Sequence, residues 1–330
     1  MPPRSPRCRA SNDASTKGCP ISPAPSSPPP AAAGALFGAL AAVIWAGFPA
    51  ITKLSMATAA LDAFDVTALR FGVGGLVLLP LFLRRGLNGL RVGPALLLAC
   101  GAGAPYVLLT AGGLAFAPAG HMGVMTPSCM LLCSTLGSWL ILKEALNAGR
   151  VLGVLAIFCG LLALGWDGLA NHGANTWLGD AMFLAGGVFW ATYTVASRAW
   201  RVDPLPTTAV VAVLSLVGYL PPYLWFAGAR LAAAPWQEIL LQALFQGLLS
   251  AVVALLLYTR AVAILGAARG AVFAALTPGV SLLLAMPLLH EIPTRLQLAG
   301  VVLVTAGMVF ALGLHDPAKW RSPLTPATPR

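Results

Sequence analysis

The side chains best suited to hold a small solute are aromatic and hydroxyl residues that stand inside long apolar runs. They are Trp45, Tyr106, Thr126, Trp190, Tyr193, Tyr258 and Thr277. Aromatic rings offer stacking surfaces, and phenol and hydroxyl groups offer hydrogen bonds, a combination that is typical of ligand cavities. We therefore predict that these residues line a substrate cavity. The alternative is that the rings only pack or face lipid.

His121 is an eighth candidate for the cavity. It lies inside a predicted helix, one turn before Thr126 and Pro127. An imidazole at this position could contact a solute or respond to protons, although a buried packing role is the more ordinary interpretation.

Pro127 and Pro278 each follow a threonine inside an apolar run. A proline within a helix removes one backbone hydrogen bond and frees a carbonyl, which a membrane tolerates where a cavity or a neighbouring helix compensates. We predict that both prolines kink their helices, shape the cavity and flex when the protein changes conformation.

Charged residues at the predicted helix ends suggest local ion pairs. Glu144 is expected to pair with Arg150, and Glu291 with Arg295 at i,i+4 spacing. A structural role is favoured over a gating role in which partners exchange between states. Lys53 and Arg198 stand at equivalent positions in the two halves, and both are expected to extend to the membrane surface, with attraction of an anionic substrate as the alternative.

Arg70 lies one turn inside a predicted span, and we expect it too to reach the membrane surface, because a central charge costs at least about 2.5–3.5 kcal/mol on insertion scales. The acidic residues are expected to stay outside every span, so no carrier for a coupling proton is apparent. No G-x-x-x-x-G-K-[ST] phosphate-binding motif occurs. We predict facilitated diffusion or exchange, with no metal and no cofactor.

The elements that must position these side chains follow from composition. The 330 residues are 58% hydrophobic and 9% charged, whereas soluble domains carry about 25% charge. Long apolar runs predict an all-α membrane protein that uses the lipid bilayer as its solvent. Ten spans are predicted, near 34–52, 66–83, 93–114, 118–142, 150–166, 177–197, 207–226, 237–259, 269–289 and 296–314.

The basic residues predict the orientation of these spans. With the N-terminus inside, 16 of the 20 lysines and arginines fall on the cytoplasmic side, as the positive-inside rule expects. Lys53, Arg70, Arg230 and Arg295 fall on the other side. Segments 1–30 and 315–330 are therefore expected to be cytoplasmic tails, the first basic and disordered, and the +10 net charge indicates topology rather than nucleic-acid binding.

The two halves of the chain repeat each other. WAGFPAITK at 45–53 is echoed by WATYTVASR at 190–198, and Thr126-Pro127 recurs as Thr277-Pro278, each inside a span, with a distance to the following glutamate that differs by four residues. Glu144 and Glu291 are each followed, nine and sixteen residues later, by two glycines. Units of five spans, 31–166 and 177–314, must have opposite orientations, and inverted repeats of this kind are typical of secondary transporters.

These motifs resemble the EamA-type family of the drug/metabolite transporter superfamily. The similarity runs through TAGGLAFAPAGHMGVMTP and LILKEALNAGRVLGVLAIFCG in the first half, and through YTRAVAILGAARGAVFAALTP and LHEIPTRLQLAGVVLVTAG in the second. The resemblance implies a ten-helix bundle of two inverted five-helix repeats around a central cavity. It also implies transport of amino acids or other small metabolites, often outward.

We therefore predict a multi-pass exporter of small organic metabolites in the inner (plasma) membrane, working by alternating access. Two other classes remain as alternatives: an intramembrane enzyme and a non-transporting membrane scaffold. An enzyme would need a nucleophile, a base or a metal cluster within the spans, and no such constellation is evident in the sequence.

Overall fold

The computed structural model describes residues 31–58, 60–171 and 173–314, and within them the regular structure is entirely helical. The predicted tails, 1–30 and 315–330, lie outside the described residues. The helices are α1 Ala31–Ala57, α2 Ala63–Arg85, α3 Val92–Ala102, α4 Ala104–Gly113, α5 Ala119–Leu142, α6 Ala148–Asn171, α7 Thr176–Ala199, α8 Pro204–Ala233, α9 Trp236–Gln242, α10 Ala254–Leu265, α11 Ala267–Leu289 and α12 Arg295–Ala311, with a π-helical segment, Ala243–Val253, between α9 and α10.

The predicted apolar runs fall on helices, and eight helical stretches of the described chain are long and apolar enough to cross a membrane. Two of these stretches combine successive helices: one consists of α3 and α4, and the other runs from α9 through the π-helical segment to α10. The sequence predicted ten spans. Of the two remaining helices, α12 has 17 residues and α7 is less apolar, since it contains Asp180, Arg198 and three threonines.

Two irregular segments were not predicted. The run 93–114 breaks at Gly103, where the backbone N–H of Ala104 donates to the Ser215 hydroxyl of α8 at 3.2 Å. The π-helical segment interrupts the run 237–259. π-Helical turns inside α-helices frequently occur at functional sites, and this one faces the cavity described below.

The ends of α5 and α11 repeat each other in three dimensions as well as in sequence. Lys143 ends α5 with φ 58°, and His290 ends α11 with φ 56°. Both residues adopt the left-handed conformation, which reverses the chain after a helix. As a result Glu144 and Glu291 both stand directly beyond a sharply terminated helix.

Four glycines allow α6 and α12 to pack closely. Gly153 of α6 lies against Gly307 of α12, and Gly160 lies against Gly300. A Cβ atom on any of the four would come within 3.1 Å of a backbone atom of the opposite helix. In the sequence repeat Gly153 corresponds to Gly300, and Gly160 corresponds to Gly307. Gly153 therefore packs against the counterpart of Gly160, and Gly160 packs against the counterpart of Gly153. We call this contact the glycine seam.

The same crosswise packing extends through the bundle. Helix α1 packs on α10 and α11, α5 packs on α7, and α2 packs on α8. Each of these contacts joins the first half of the chain to the second. The buried core therefore forms between the halves, and side chains from both halves face the space at the centre.

Candidate functional site

A cavity of about 320 Å³ lies between the two halves of the chain. Its walls come from α1, α2, α4, α5, α7, the π-helical segment, α10 and α11. The volume is at the lower end of the range for small-molecule sites. Six of the eight predicted cavity residues line it: Trp45, Tyr106, Thr126, Trp190, Tyr258 and Thr277.

Two aromatic pairs form part of the wall. Trp45 contacts Tyr258 with ring centroids 5.3 Å apart, and Trp190 contacts Tyr106 edge to face at 4.7 Å. Within the sequence repeat, Trp45 corresponds to Trp190, and the two tyrosines lie on the corresponding third and eighth predicted spans. Each pair thus joins one half of the chain to the other and presents ring surface to the cavity.

Hydroxyl groups complete the lining. Thr126 donates to the carbonyl of Phe183 at 3.3 Å, and Thr277 donates to the carbonyl of Phe273 at 3.4 Å. Ser250 and Ser281 also line the cavity. Pro127 is part of the wall, whereas Pro278 is buried in α11 without being part of it. Hydroxyl oxygens can still accept hydrogen bonds while donating, so the wall offers polar contacts at several points.

Tyr193 and His121 do not line the cavity. Tyr193 packs behind Trp190, with ring centroids 5.8 Å apart, and its Cβ lies against Gly101 of α3. The imidazole of His121 is fully buried and faces away from the lining residues toward α6 and α7. The prediction that these two residues face the cavity is therefore wrong in position, because spacing along one helix does not show which neighbours surround it.

His121 instead belongs to a buried polar cluster with Asp180 and Asp167. Its Nδ1 lies 2.9 Å from Oδ1 of Asp180, and its Nε2 lies 3.7 Å from Oδ2 of Asp167. Asp167 also accepts hydrogen bonds from Asn171 and Thr294. The cluster joins α5, α6, α7 and the start of α12.

This cluster corrects the expectation that acidic residues avoid the spans. Asp167 was placed after a span that ended at 166, but α6 continues to Asn171. Asp167 is 0% exposed, Asp180 is 5% exposed, and Asp65 of α2 is also buried. Buried carboxylates persist where polar partners compensate their desolvation. Because these carboxylates are buried, the expected absence of a carrier for a coupling proton no longer follows.

Arg70 is also buried, contrary to the expectation that it would reach the membrane surface. It is 8% exposed and lines the cavity. Its Nη1 donates to the amide oxygen of Gln246 at 3.2 Å and to the hydroxyl of Ser250 at 3.1 Å. The guanidinium carbon lies 5.1 Å from the ring centroid of Phe48. Gln246 and Ser250 belong to the π-helical segment, which supplies polar partners that local hydropathy did not reveal.

Ion pairs at the helix ends join the two halves. Lys53 Nζ lies 3.2 Å from Oε1 of Glu291 and donates to the carbonyl of Ala117 at 2.7 Å. The predicted pairing of Glu291 with Arg295 is wrong, since the partner of Glu291 comes from α1. Both oxygens of Glu291 also accept backbone N–H groups at the start of α5, from Ala119 at 3.0 Å and Gly120 at 3.1 Å, where a helix end favours negative charge.

In a second ion pair the roles of the two halves are exchanged, since the cation comes from the second half of the chain and the glutamate from the first. Arg198 of α7 pairs with Glu144 beyond α5 and donates to the Ser138 hydroxyl at 2.8 Å. Arg150 lies 3.6 Å from Glu144, as predicted. Lys53 and Arg198 were expected to extend to the membrane surface, but each pairs with the glutamate from the other half of the chain. Local spacing suggested i,i+4 partners, whereas helix packing selected distant ones.

Larger depressions occur elsewhere in the described structure but do not resemble a solute site. One, of about 490 Å³, lies between the start of α2 and the second half of α8. Its wall includes Phe226, which is 84% exposed, and Phe64, which is 55% exposed. Exposed apolar side chains on the outer surface of such a bundle are suited to contact with lipid.

The lining residues that sequence reasoning missed include an aromatic ring, a cation and two hydroxyl groups, from Phe48, Arg70, Ser250 and Ser281. For Arg70 the signal was present, because an arginine within an apolar span is a candidate functional residue by default. Nothing local distinguished the two serines from packing residues. Within the part of the chain that the structure describes, no group of three or more His, Cys, Asp or Glu side chains is arranged to hold a metal ion.

Comparison with known proteins agrees with this architecture. A model of the EamA-like transporter family matches residues 32–166 and again residues 177–313. No curated protein matches the chain. One solved crystal structure has a similar fold, with a TM-score of 0.55 at 22% sequence identity, covering 88% of this chain and 99% of that chain. The two matches span most of the sequence, and this chain belongs to the EamA-like transporter family.

Proposed function

We propose that the protein is a secondary transporter that moves a small organic metabolite across the inner (plasma) membrane by alternating access. The observation that carries the proposal is the cavity between the two halves, which is lined by reciprocal aromatic pairs, while reciprocal ion pairs join the same two halves elsewhere. Secondary transporters bind substrate where two repeats meet. Ten spans in two inverted five-helix repeats would give this arrangement.

The positions of the ion pairs support the inverted arrangement. Glu291 contacts the first residues of α5, and Glu144 follows its last turn. A helix of 24 residues is about 36 Å long, so the two ion pairs lie at opposite ends of the bundle. Lys53 and Arg198, which are equivalent in the sequence repeat, therefore join the two halves at opposite ends of the bundle, where we propose that they control access to the cavity.

The strength of these ion pairs suits reversible closure. Lys53 and Glu291 are 26% and 23% exposed at their side chains, and Arg198 and Glu144 are 50% and 30% exposed. Partly exposed pairs contribute only about 0–1 kcal/mol, so each can break at little cost when the halves rock. The Glu291 end is held more firmly, because two backbone N–H groups also donate to the carboxylate.

The expected orientation places both termini in the cytoplasm and the Lys53–Glu291 pair on the outer side. The distribution of 16 of 20 basic residues on one side supports this orientation. Outward movement of amino acids or related compounds is the substrate class and direction proposed from the family resemblance.

The test is solute flux with the purified protein in proteoliposomes. Preloaded vesicles are given radiolabelled amino acids, organic acids, amines and nucleobases, and counterflow is measured. We expect saturable accumulation of at least one solute, recovered chemically unchanged. Absence of flux across the whole panel would contradict transport, and chemical conversion of the solute would favour the enzyme alternative.

The same vesicles test the role of the ion pairs. Lys53→Gln removes one closure and is expected to change the flux at least severalfold, because one end of the cavity then opens more readily. Arg84→Gln, at an exposed position near the end of α2, is the matched control and is expected to behave as wild type. Equal flux in both variants would show that the Lys53–Glu291 pair does not control access.

A further inference from the structure

We infer that the cavity binds its substrate through a carboxylate held by Arg70, so that the transported solute is a small organic monocarboxylate with an apolar or aromatic body. This inference names the substrate class of the proposed transporter and rests on that proposed function. It is carried by the contacts of Arg70, by the absence of acidic side chains from the described lining, and by the aromatic walls.

Arg70 is a cation in a place where a cation needs a partner. It stands eight residues into the 23-residue helix α2, about 10 Å along the helix from its start, and it is 8% exposed. A buried charge is costly unless another charge or several hydrogen bonds compensate it. The structure gives Arg70 no carboxylate within 4.0 Å in the described part of the chain, and its two hydrogen-bond acceptors, Gln246 and Ser250, are neutral.

The nearby acidic residues on the same helix are engaged elsewhere. Asp62 and Asp65 form a capping box at the start of α2, in which Asp62 accepts the N–H of Asp65 and Asp65 accepts the N–H of Asp62. Asp65 also accepts the hydroxyl of Tyr223 at 2.5 Å. Among the described residues that line the cavity, Arg70 is the only charged one. The cavity is therefore positively charged.

The neighbours of Arg70 fix the guanidinium in one orientation. The amide nitrogen of Gln246 donates to Thr52 Oγ1 at 2.6 Å, which turns its oxygen toward Arg70. The ring of Phe48 lies against the guanidinium. Both protein hydrogen bonds of Arg70 start from Nη1, so the Nε–Nη2 edge has no acceptor from the described residues. That edge is the planar fork that binds a carboxylate with two parallel hydrogen bonds.

The single charge also breaks the symmetry of the cavity. An aspartate stands directly before each of the helices α2 and α8, Asp62 and Asp203. Eight residues after the aspartate, α2 has Arg70 whereas α8 has Val211. The aromatic pairs are duplicated in the two halves, whereas the cation is present in one half alone. One cation suits one negative charge, and its position directs the carboxylate toward α2 and the π-helical segment. The body of the solute then lies against the rings of Trp45, Tyr258, Tyr106 and Trp190.

Binding of four probes with the same phenyl body tests the inference. They are 3-phenylpropionate, phenylalanine, phenethylamine and 3-phenylpropanamide, with the phosphonate analogue of the first as a fifth. Binding is followed by tryptophan fluorescence in detergent, since Trp45 and Trp190 line the cavity, and by flux in proteoliposomes. A charge-assisted hydrogen bond predicts that both carboxylate probes bind at least about tenfold more tightly than the amide.

Arg70→Gln is expected to weaken binding of 3-phenylpropionate at least about tenfold and to leave binding of the amide unchanged. Arg70→Lys should retain part of the affinity, because it keeps the charge but not the planar fork. Arg91→Gln, an exposed cation directly before α3, is the matched control. Melting temperature is recorded for each variant, and if Arg70→Gln does not fold, the preference of the wild-type protein among the probes still decides.

The outcomes separate the inference from the proposed function. Flux of amine or amide probes equal to that of the carboxylates, unaffected by Arg70→Gln, would overturn the carboxylate site and leave transport intact. Tighter binding of the phosphonate than of 3-phenylpropionate would overturn the monocarboxylate class. Failure of every solute of the wider panel to bind or to move would overturn the proposed function itself.

Discussion

Replacement of Gly153 by alanine tests the glycine seam that joins the two halves. A Cβ atom at Gly153 would lie 2.3 Å from the backbone nitrogen of Ala311 and 2.6 Å from the carbonyl oxygen of Gly307. Ordinary contact begins at 3.4 Å, so α6 and α12 must separate by about 1 Å at this point. The opposing atoms belong to the backbone, and no side-chain rotation can relieve the clash.

The expected change in stability combines two opposing terms. Alanine in place of glycine in a helix stabilises by about 0.5–1 kcal/mol, whereas overpacking costs about 1–3 kcal/mol. We expect Gly153→Ala to lower the free energy of unfolding by about 1–2 kcal/mol. Gly165 lies on the same helix with open space around the position of a Cβ, so Gly165→Ala should be neutral or stabilising by up to about 1 kcal/mol.

Reversible unfolding in mixed detergent and SDS micelles, followed by tryptophan fluorescence, measures both variants. The reasoning predicts opposite signs for two identical substitutions twelve residues apart on one helix. If Gly153→Ala were as stable as Gly165→Ala, the two helices would not be in backbone contact at this point, and the crosswise packing of the repeats would lose its main support.

Two further predictions concern the buried cluster and the prolines. His121→Ala leaves the carboxylates of Asp180 and Asp167, 5% and 0% exposed, without the imidazole between them, and should destabilise the protein by about 3–5 kcal/mol in the same unfolding assay; a change below about 1 kcal/mol would show that the cluster contributes little. The double variant Pro127→Ala/Pro278→Ala restores the missing backbone donors and should reduce proteoliposome flux more than the yield of folded protein, whereas loss of folded protein would contradict a hinge role.

Much of the architecture was predictable because its signals are local. Apolar runs of adequate length identify membrane spans, and a motif repeated at the same spacing identifies two related halves. The cavity wall was also largely predictable: Trp45, Trp190, Thr126 and Thr277 occupy paired positions in the repeat, and all four line the cavity. The ten-span count and the opposite orientation of the halves stay predictions from sequence.

The partners of the charged residues could not be predicted in the same way. Glu291 was assigned to Arg295 by helical spacing, but it pairs with Lys53, 238 positions earlier in the chain. Arg70 was assigned to the membrane surface by the cost of burying a charge, but the π-helical segment brings Gln246 and Ser250 to its guanidinium. These partners belong to helices that are distant in sequence.

The features that could be predicted depend on residues close together in the sequence, whereas the others depend on contacts between helices that are far apart in the sequence. Hydropathy and repeat spacing depend on neighbours along the chain, and they were sufficient to establish a membrane protein of two similar halves with an aromatic, hydroxyl-bearing interior. Whether a polar side chain faces the cavity or the protein interior depends on which helix packs beside it. Tertiary packing alone placed His121 outside the cavity against Asp180, and placed a single arginine within the aromatic cavity.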